Sequence, residues 1–265
     1  EMSHLETLGL LKVDFLGLKT VTAIQEAERL VKDRCGEELH LRRIPLDDGP
    51  TMDLLARGEV LGVFQLESSS GMKDLVMKLR PRHFRDMIPL VALYRPGPIK
   101  SGMLASFIAR RHGRENVVYP HPLLEEILKE TYGVILYQEQ VMRISIDLAG
   151  FTGSEADKLR KAMSKKRPED MAKFRHQFVR GAVIRGIAEE KAKEIYDLIE
   201  NFGGYGFNKA HSAAYGYLAY QTAYLKANRP TEYLAAAMTC EMPDTEKISI
   251  YIAECRRMGI EVLPP

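Results

Sequence analysis

A strongly basic stretch occupies residues 158–167, which read Lys-Leu-Arg-Lys-Ala-Met-Ser-Lys-Lys-Arg. It contains six basic residues and no acidic one. On a helix, Leu159, Ala162 and Met163 would form an apolar stripe that can dock on a core. The flanking positions are Arg160, Ser164 and Arg167 on one side, and Lys158, Lys161 and Lys165 on the other. Such a helix can offer guanidinium and ammonium groups to phosphate oxygens. The alternative from charge alone is a solvated helix face.

A glycine-rich stretch at residues 203–211 reads Gly-Gly-Tyr-Gly-Phe-Asn-Lys-Ala-His. A helix that begins after such a loop has free backbone N–H groups at the positive end of its dipole, which favours an anion. Lys209 and His211 in the first turn would strengthen that preference. The alternative makes Gly203 or Gly204 the C-cap of a preceding helix and Asn208 the N-cap of the next. This loop is not a P-loop, because GxxxxGK[ST] is absent.

Two smaller groups contain carboxylates. Asp14 and Lys12 would share one face of a strand, as a magnesium ligand beside a lysine or as a surface ion pair. Glu139, in a polar cluster that follows an apolar run, could be catalytic or could cap a helix start. The sequence contains no HExxH motif, no serine–histidine–aspartate order and no evident catalytic carboxylate pair. These residues alone predict a helical domain with anion sites, which binds nucleotide or nucleic acid.

The elements that would position these residues are mostly helices. Residues 10–15 alternate as a half-buried strand, and a helix is predicted from Thr20, its N-cap, to about Lys32. The prolines predict an extended or turning segment at residues 94–98. The remaining predictions are a helix at 52–56, a strand at 62–66, a strand or helix lead at 133–137, and helices from Gln140 onward with breaks at glycines and prolines. We therefore expect a mainly α fold with a few short strands.

The bulk properties set the class of protein. A chain of 265 residues can bury a sizeable core, and its formal net charge of +2 implies no partner by itself. The three cysteines lie far apart, without zinc-site spacing, as expected in a reducing cytosol. No apolar run is long enough to span a bilayer. Because the sequence opens on Glu1, we expect a piece of a longer protein.

Several of these stretches, in order and over nearly the whole chain, resemble the alpha subunit of bacterial DNA polymerase III, a C-family replicative polymerase. Any one motif is weak, and the ordered set is specific. The matching stretches are KVDFLGLK at 12–19, VFQLES at 63–68, YRPGP at 94–98, YGVILYQEQVM at 132–142, LRKAM at 159–163 and GGYGFNKAHSAAY at 203–215.

The resemblance implies a helical fingers domain attached to one strand of a polymerase β-like palm, an α+β arrangement. Residues 1–19 would be the terminal palm strand and residues 20–235 the fingers domain. Residues 236–265 would lead into a following helix-hairpin-helix region.

The resemblance also implies site residues. Asp14 would be the third carboxylate of a palm triad that binds two Mg²⁺ ions, and Lys12 would lie close to the incoming triphosphate. Arg160 and Lys161 would contact that triphosphate. Tyr205 would lie near the bound nucleotide, with Lys209 and His211 as further nucleotide-binding candidates.

Two departures from the family pattern affect this prediction. Lys161 stands where the family often has a second arginine, and lysine lacks the bidentate fork. The stretch that supplies the other two palm aspartates does not occur in these residues, so the fragment alone is expected to be inactive.

The resemblance makes this chain part of a DNA-directed DNA polymerase for chromosomal replication, which binds the incoming dNTP and supplies one metal ligand. Its implied partners are primer–template DNA, the sliding clamp, the proofreading exonuclease subunit and the clamp loader, in the bacterial cytoplasm and without a membrane. The alternative is a non-catalytic helical module that binds nucleic acid through its phosphates. A purely structural interaction domain would leave the basic helix unexplained.

Overall fold

The computed structural model describes residues 4–5, 8–10, 17–165, 168–203 and 205–263. It divides the chain into two compact units, one of Leu41–Asn228 and the other of Glu1–His40 with Arg229–Pro265. Within the described residues, the only β pairing is a single parallel bridge between Tyr137 and Phe207. The mainly α prediction is confirmed. The predicted domain boundaries and the palm attachment stay predictions.

The smaller unit contains three long helices. These are α1 (Lys19–Cys35), α13 (Pro230–Cys240) and α14 (Thr245–Arg257). Helix α1 packs along α13, and its residues Ala27 and Val31 are fully buried. Gly36 ends α1 with φ +67°, the left-handed conformation that favours glycine at a helix C-terminus.

The larger unit contains the other described α-helices. They are α2 (Gly49–Ala56), α3 (Ser70–Leu79), α4 (Ile88–Leu93), α5 (Pro96–Lys100), α6 (Met103–Arg111), α7 (Glu125–Leu128), α8 (Gln138–Ala149), α9 (Gly153–Lys165), α10 (Pro168–Ile184), α11 (Glu189–Phe202) and α12 (Lys209–Asn228). Helices α8 to α11 share one hydrophobic core, centred on residues such as Leu159, Phe178 and Tyr196. Helix α12 packs on α2 and α4.

Helix α9 begins with a capping box. The hydroxyl of Thr152 accepts a hydrogen bond from the Glu155 backbone N–H at 3.2 Å, and the Glu155 carboxylate accepts one from the Thr152 N–H at 2.8 Å. Two N–H groups at the helix start are thereby satisfied reciprocally. The break in the sequence near Gly150 is confirmed, since Gly150 ends α8 with φ +70°.

Two local predictions were wrong. Helix α1 begins at Lys19 with Leu18 as N-cap, so Thr20 lies inside the helix. The predicted strand at 62–66 is a series of turns, because Gly62 and Gln65 both have positive φ, which breaks an extended chain. The Phe64 N–H donates a hydrogen bond to the Thr222 hydroxyl at 3.0 Å. A side chain of α12 therefore accepts the hydrogen bond that a neighbouring strand would otherwise accept.

The segment at residues 94–98 also differs from its prediction. Arg95 is extended, as expected for a residue before proline, but Pro96 then begins the short helix α5. Both prolines lie in the first turn of this helix, where no backbone N–H donor is needed. Gly97 precedes Pro98 without the Cβ that would otherwise disfavour a helical conformation. The expectation that a residue before proline is not helical therefore held at Arg95 and failed at Gly97, two residues later.

Three other expectations concern residues 10–15, membrane-spanning segments and the cysteines. The strand predicted at residues 10–15 lies almost wholly outside the described residues. In the part of the chain that the structure describes, no helix is long and apolar enough to cross a membrane. The three cysteines are free thiols, and they range from the exposed Cys35 to the buried Cys255. Burial raises the pKa of the Cys255 thiol.

Candidate functional site

The apolar stripe of helix α9 faces the core as the sequence predicts. Leu159, Ala162 and Met163 are 0%, 7% and 6% exposed. Docking on this stripe leaves Arg160 half-buried and Lys161 exposed at the surface. The structure does not describe the side chains of the predicted flanking residues Ser164, Lys165 and Arg167.

Arg160 and Lys161 share one carboxylate, that of Asp157. The Arg160 Nε and Nη2 atoms lie 2.9 and 2.8 Å from Asp157 Oδ1, and Lys161 Nζ lies 2.8 Å from Oδ2. The pKa of Asp157 lies below its usual value, because Lys161 and then Arg160 donate hydrogen bonds to the carboxylate. The two cations are thus already arranged around a carboxylate-sized anion.

Gln138, the first residue of α8, links helix α9 to the glycine-rich loop. Its Oε1 accepts a hydrogen bond from Arg160 Nη1 at 3.3 Å, and its Nε2 donates to the Gly206 carbonyl at 3.3 Å. Its backbone N–H donates to the Phe207 carbonyl at 2.9 Å, within the parallel bridge. Two stretches about 45 residues apart in sequence are thus joined through one side chain.

The proline-containing segment at 94–98 holds Tyr205. The Arg95 guanidinium donates to the Tyr205 carbonyl and stacks over the Phe207 ring, 4.6 Å from its centroid. A Cβ atom on Gly97 would lie 1.9 Å from Cδ1 of Tyr205, so only glycine allows the ring its observed position. Burial lowers the pKa of Arg95. Tyr205 remains 38% exposed, although Arg95 and Gly97 contact it.

The N-terminus of helix α12 is capped by side chains of the chain itself. Glu139 accepts hydrogen bonds from the Asn208 side-chain amide at 2.8 Å and from the Lys209 backbone N–H at 2.9 Å. Asn208 in turn accepts from the His211 N–H at 2.7 Å, which confirms its predicted N-cap role. Glu139 therefore caps a helix start, but that of α12 rather than its own. The anion that contacts this helix N-terminus is therefore the Glu139 carboxylate of the chain itself.

Lys209 and His211 have partners on different sides. Lys209 Nζ lies 2.7 and 2.8 Å from the carboxylate oxygens of Glu130. The exposed His211 ring stacks on Tyr215 with centroids 4.0 Å apart and meets the Phe207 ring edge-on. Their predicted nucleotide contacts stay predictions.

The structure brings some of the predicted site residues together. Arg160 and Lys161 share Asp157, and Gln138 joins Arg160 to the Gly206 carbonyl, one residue after Tyr205. Lys12 and Asp14 lie outside the described residues. Among the residues that the structure describes, no group of three or more His, Cys, Asp or Glu side chains is placed to hold a metal ion.

Sequence reasoning missed four residues of this network. They are Arg95, Gly97, Gln138 and Asp157. Asp157 could have been found from the sequence, because a carboxylate three and four residues before two cations on a helix pairs with both. The other three act across long separations in the chain, where spacing gives no signal.

The larger unit is thus a helical domain in which Gln138 joins the cation-bearing helix α9 to the glycine-rich loop that carries the exposed Tyr205. The family profile that matches residues 20–186 is described as the bacterial DNA polymerase III alpha subunit finger domain. The chain therefore belongs to the bacterial DNA polymerase III alpha subunit finger-domain family.

Similar curated proteins are DNA polymerase III alpha subunits from several bacteria. The chain is 51% identical to that of Aquifex aeolicus strain VF5 over 265 residues, which is all of this chain and 23% of the relative. It is 52% identical to that of Escherichia coli strain K12 over 274 residues, and 52% identical to that of Thermus aquaticus over 270 residues. Those two alignments also include the whole chain, and 24% and 22% of the relatives. The chain spans less than a quarter of the length of these relatives.

Proposed function

We propose that this chain is the fingers part of a DNA-directed DNA polymerase, and that it binds the incoming dNTP during replication. The observation that carries the proposal is the link through Gln138, which joins Arg160 on α9 to the loop that presents Tyr205. A dNTP has a polyanionic end and a flat base, and this network offers cations and an exposed ring to the two ends.

The phosphate-binding part of the proposal rests on Arg160 and Lys161. In the free protein both cations are paired with Asp157. A triphosphate carries more negative charge than one carboxylate and presents more acceptor oxygens, so it competes with Asp157 for both cations. Gln138 keeps the Arg160 side chain in place during the exchange, because its amide oxygen contacts a different guanidinium nitrogen. Lys209 and His211 remain further candidates in this proposal.

Tyr205 would contact the sugar or base. The Arg95 and Gly97 contacts hold its backbone and ring from one side, while more than a third of the side chain faces solvent. An aromatic face stacks on any base, which suits a polymerase that must accept four nucleotides.

The palm part of the proposal comes from the resemblance. Asp14 would be one ligand of two Mg²⁺ ions, and Lys12 would lie beside the triphosphate. A carboxylate oxygen is the ligand type that Mg²⁺ prefers, but one carboxylate does not hold two ions, so the site needs further ligands from outside these residues. The Mg²⁺ would stabilise charge on the reacting phosphates, and no step of the chemistry is assigned to the residues described here.

The remaining proposals describe the intact protein. We propose a terminal palm strand at 1–19, fingers at 20–235 and a lead into a helix-hairpin-helix region at 236–265. The partners are primer–template DNA, the sliding clamp, the proofreading exonuclease subunit and the clamp loader, and the location is the bacterial cytoplasm.

The test is Arg160→Ala in a full-length alpha subunit that carries this sequence. We expect the KM for dNTP to rise by about 10- to 100-fold, since hydrogen bonds to charged groups contribute about 1.5–3 kcal/mol. The Kd for primer–template without nucleotide should barely change. Arg143→Ala is the matched control, because Arg143 forms a similar helix ion pair with Asp147, at 2.5 Å, on the exposed side of α8.

Equal losses of dNTP and primer–template affinity in Arg160→Ala would favour the alternative, a nucleic-acid-binding module. A second variant addresses the palm. Asp14→Asn should abolish primer extension at saturating magnesium and dNTP while DNA binding survives. Unchanged extension would remove Asp14 from the metal site.

A further inference from the structure

A second group of basic residues lies in the larger unit, outside helix α9 and the glycine-rich loop. Residues 78–85 read Lys-Leu-Arg-Pro-Arg-His-Phe-Arg and contain four lysines or arginines without an acidic residue. Residues 110–114 read Arg-Arg-His-Gly-Arg. The first stretch runs from the end of α3 into the turn before α4, and the second ends α6.

Arg111 joins the two stretches. Its Nη1 and Nη2 atoms donate to the two carboxylate oxygens of Asp86 at 2.6 and 2.8 Å, and its Nε donates to the Leu79 carbonyl at 3.0 Å. The side chains of Arg111 and Asp86 are only 11% and 7% exposed. A His112 ring nitrogen also contacts the Lys78 carbonyl at 2.8 Å. A buried, bidentate ion pair therefore fixes the two basic stretches against each other.

The lysines and arginines in these two stretches other than Arg110 and Arg111 have no ion-pair partner among the residues that the structure describes. We call the exposed residues Lys78, Arg80, Arg82, Arg85 and Arg114 the basic shelf. None of their side chains forms a hydrogen bond or ion pair with another residue that the structure describes. Of the acidic residues nearest in sequence, Asp86 pairs with Arg111 and Glu115 pairs with Arg110 at 2.7 Å, whereas Asp74, four residues before Lys78 on α3, is exposed. The shelf therefore presents an excess of positive charge.

Two clefts flank the ion pair, with volumes of about 590 and 660 Å³. Arg85 lines the first cleft together with the Lys209–Glu130 ion pair, whereas Arg80 and Arg82 line the second beside Asp47 and Asp53. Of the aromatic residues in the clefts, Phe107 and Tyr137 are buried at 1% and 2% exposure. Tyr132 lines both clefts and is half-buried, with its ring edge-to-face against Phe107 and its hydroxyl 3.1 Å from Arg111 Nη1.

Among the described residues that line the clefts there are cations but no exposed phenylalanine or tyrosine ring, which single-strand binders use as a stacking platform. Arginine forks match phosphate oxygens geometrically, and regularly spaced phosphates are densest on a duplex. We propose that the basic shelf binds the phosphodiester backbone of duplex DNA, separately from the nucleotide contacts of Arg160. The inference rests on the proposed function for its choice of DNA, and it concerns a different surface.

The test uses a full-length alpha subunit that carries this sequence, without nucleotide. Binding of a blunt DNA duplex is measured over a range of salt concentrations for the wild type and for a variant with Lys78→Gln, Arg82→Gln and Arg85→Gln. Each phosphate contact contributes about −0.9 to the slope of log K against log salt, so the variant should lose about 2 to 3 units of slope. Arg80 is left unchanged because its φ is +48°.

The control variant removes the same charge elsewhere. Lys173→Gln, Arg180→Gln and Arg256→Gln also replace three exposed cations. We expect this variant to keep the wild-type slope. An equal loss in the two variants would mean that net charge alone attracts DNA, and it would overturn the proposal.

Three further outcomes are decisive. An unchanged slope in the shelf variant would overturn the proposal. A loss confined to a single-stranded oligonucleotide, or to an acidic polypeptide such as polyglutamate, would overturn the choice of duplex DNA. Failure of the nucleotide proposal is a separate result, because it would show as an unchanged KM for dNTP in Arg160→Ala while the shelf variant still lost its slope.

Discussion

The cations of the two basic surfaces of this chain differ in whether they contact other side chains. On α9, Arg160 and Lys161 both contact Asp157, and Gln138 holds Arg160 from the side. On the basic shelf, Lys78, Arg82 and their neighbours are exposed and have no such partners among the described residues. Both surfaces depend on a carboxylate, but Asp157 lies at the surface beside the cations whereas Asp86 lies beneath the shelf.

The difference indicates that the two surfaces would bind anions in different ways. Partners that fix the position of a guanidinium favour a ligand that must be bound in one geometry. Unpaired cations on long side chains create a field and adapt to a backbone that can slide, which suits binding without sequence preference. Local charge, which is similar in the two stretches, does not reveal which kind is present.

The largest expected effect comes from breaking the Asp86–Arg111 ion pair that supports the basic shelf. Asp86→Asn would leave the Arg111 guanidinium buried without its anion, at a cost of about 3 kcal/mol. Amide hydrogen exchange in α3 and α6 of the full-length protein should become faster by about 100-fold, because opening of this region would cost less. Asp74→Asn, an exposed change on α3, should leave exchange unaltered. Unchanged exchange in Asp86→Asn would show that the ion pair does not hold the shelf together.

The next effect separates geometry from charge. Arg160→Lys keeps the charge but loses the fork that contacts both Gln138 and Asp157, so we expect the KM for dNTP to rise about tenfold, equivalent to about 1.4 kcal/mol. Arg82→Lys should leave the salt dependence of duplex binding as it is. Full tolerance of lysine at position 160 would mean that both surfaces act through charge alone.

A smaller effect is expected from the support of Tyr205. Gly97→Ala would place a methyl group 1.9 Å from the present position of Tyr205 Cδ1, so the ring must shift. We expect the KM for dNTP to rise about fivefold, for a packing cost of about 1 kcal/mol. Gly49→Ala, where a Cβ meets nothing within 4 Å, is the control. If the two variants behave alike, the position of this ring does not matter for nucleotide binding.

The smallest effect has the opposite sign. Asp157→Asn removes the anion that competes with phosphate, so steady-state kinetics should show the KM for dNTP falling about two- to fivefold, the range expected for an exposed ion pair. The control is Asp147→Asn, which breaks the comparable pair with Arg143 on α8. A rise in KM would show instead that Asp157 organises the cations for the ligand.

The pKa shift of Asp157 gives the sign of its pH dependence. Because hydrogen bonds from Lys161 and Arg160 lower its pKa, the carboxylate stays ionised down to a pH below the usual pKa range of aspartate. The stabilisation from these pairs is present at neutral pH and is lost only as the pH falls through the lowered pKa.

Much of the local structure could be predicted from the sequence. The apolar stripe of α9, the Asn208 cap and the break at Gly150 depend on residues within a few positions of each other, and all three are confirmed. The predictions that were wrong at residues 62–66 and 94–98 concern short segments with two possible backbone forms. There, contacts with α12 and a proline-compatible first turn decided the outcome.

The sequence by itself determined the helical class, the basic face of α9 and, through its ordered motifs, the family. Only the tertiary structure showed that Gln138 joins Arg160 to the glycine-rich loop, that Gly97 lies against Tyr205 and that Glu139 caps α12. These contacts join residues from 22 to about 110 positions apart. Helical periodicity and capping are local physics, so they can be read along the chain, whereas such contacts exist only after the helices have packed.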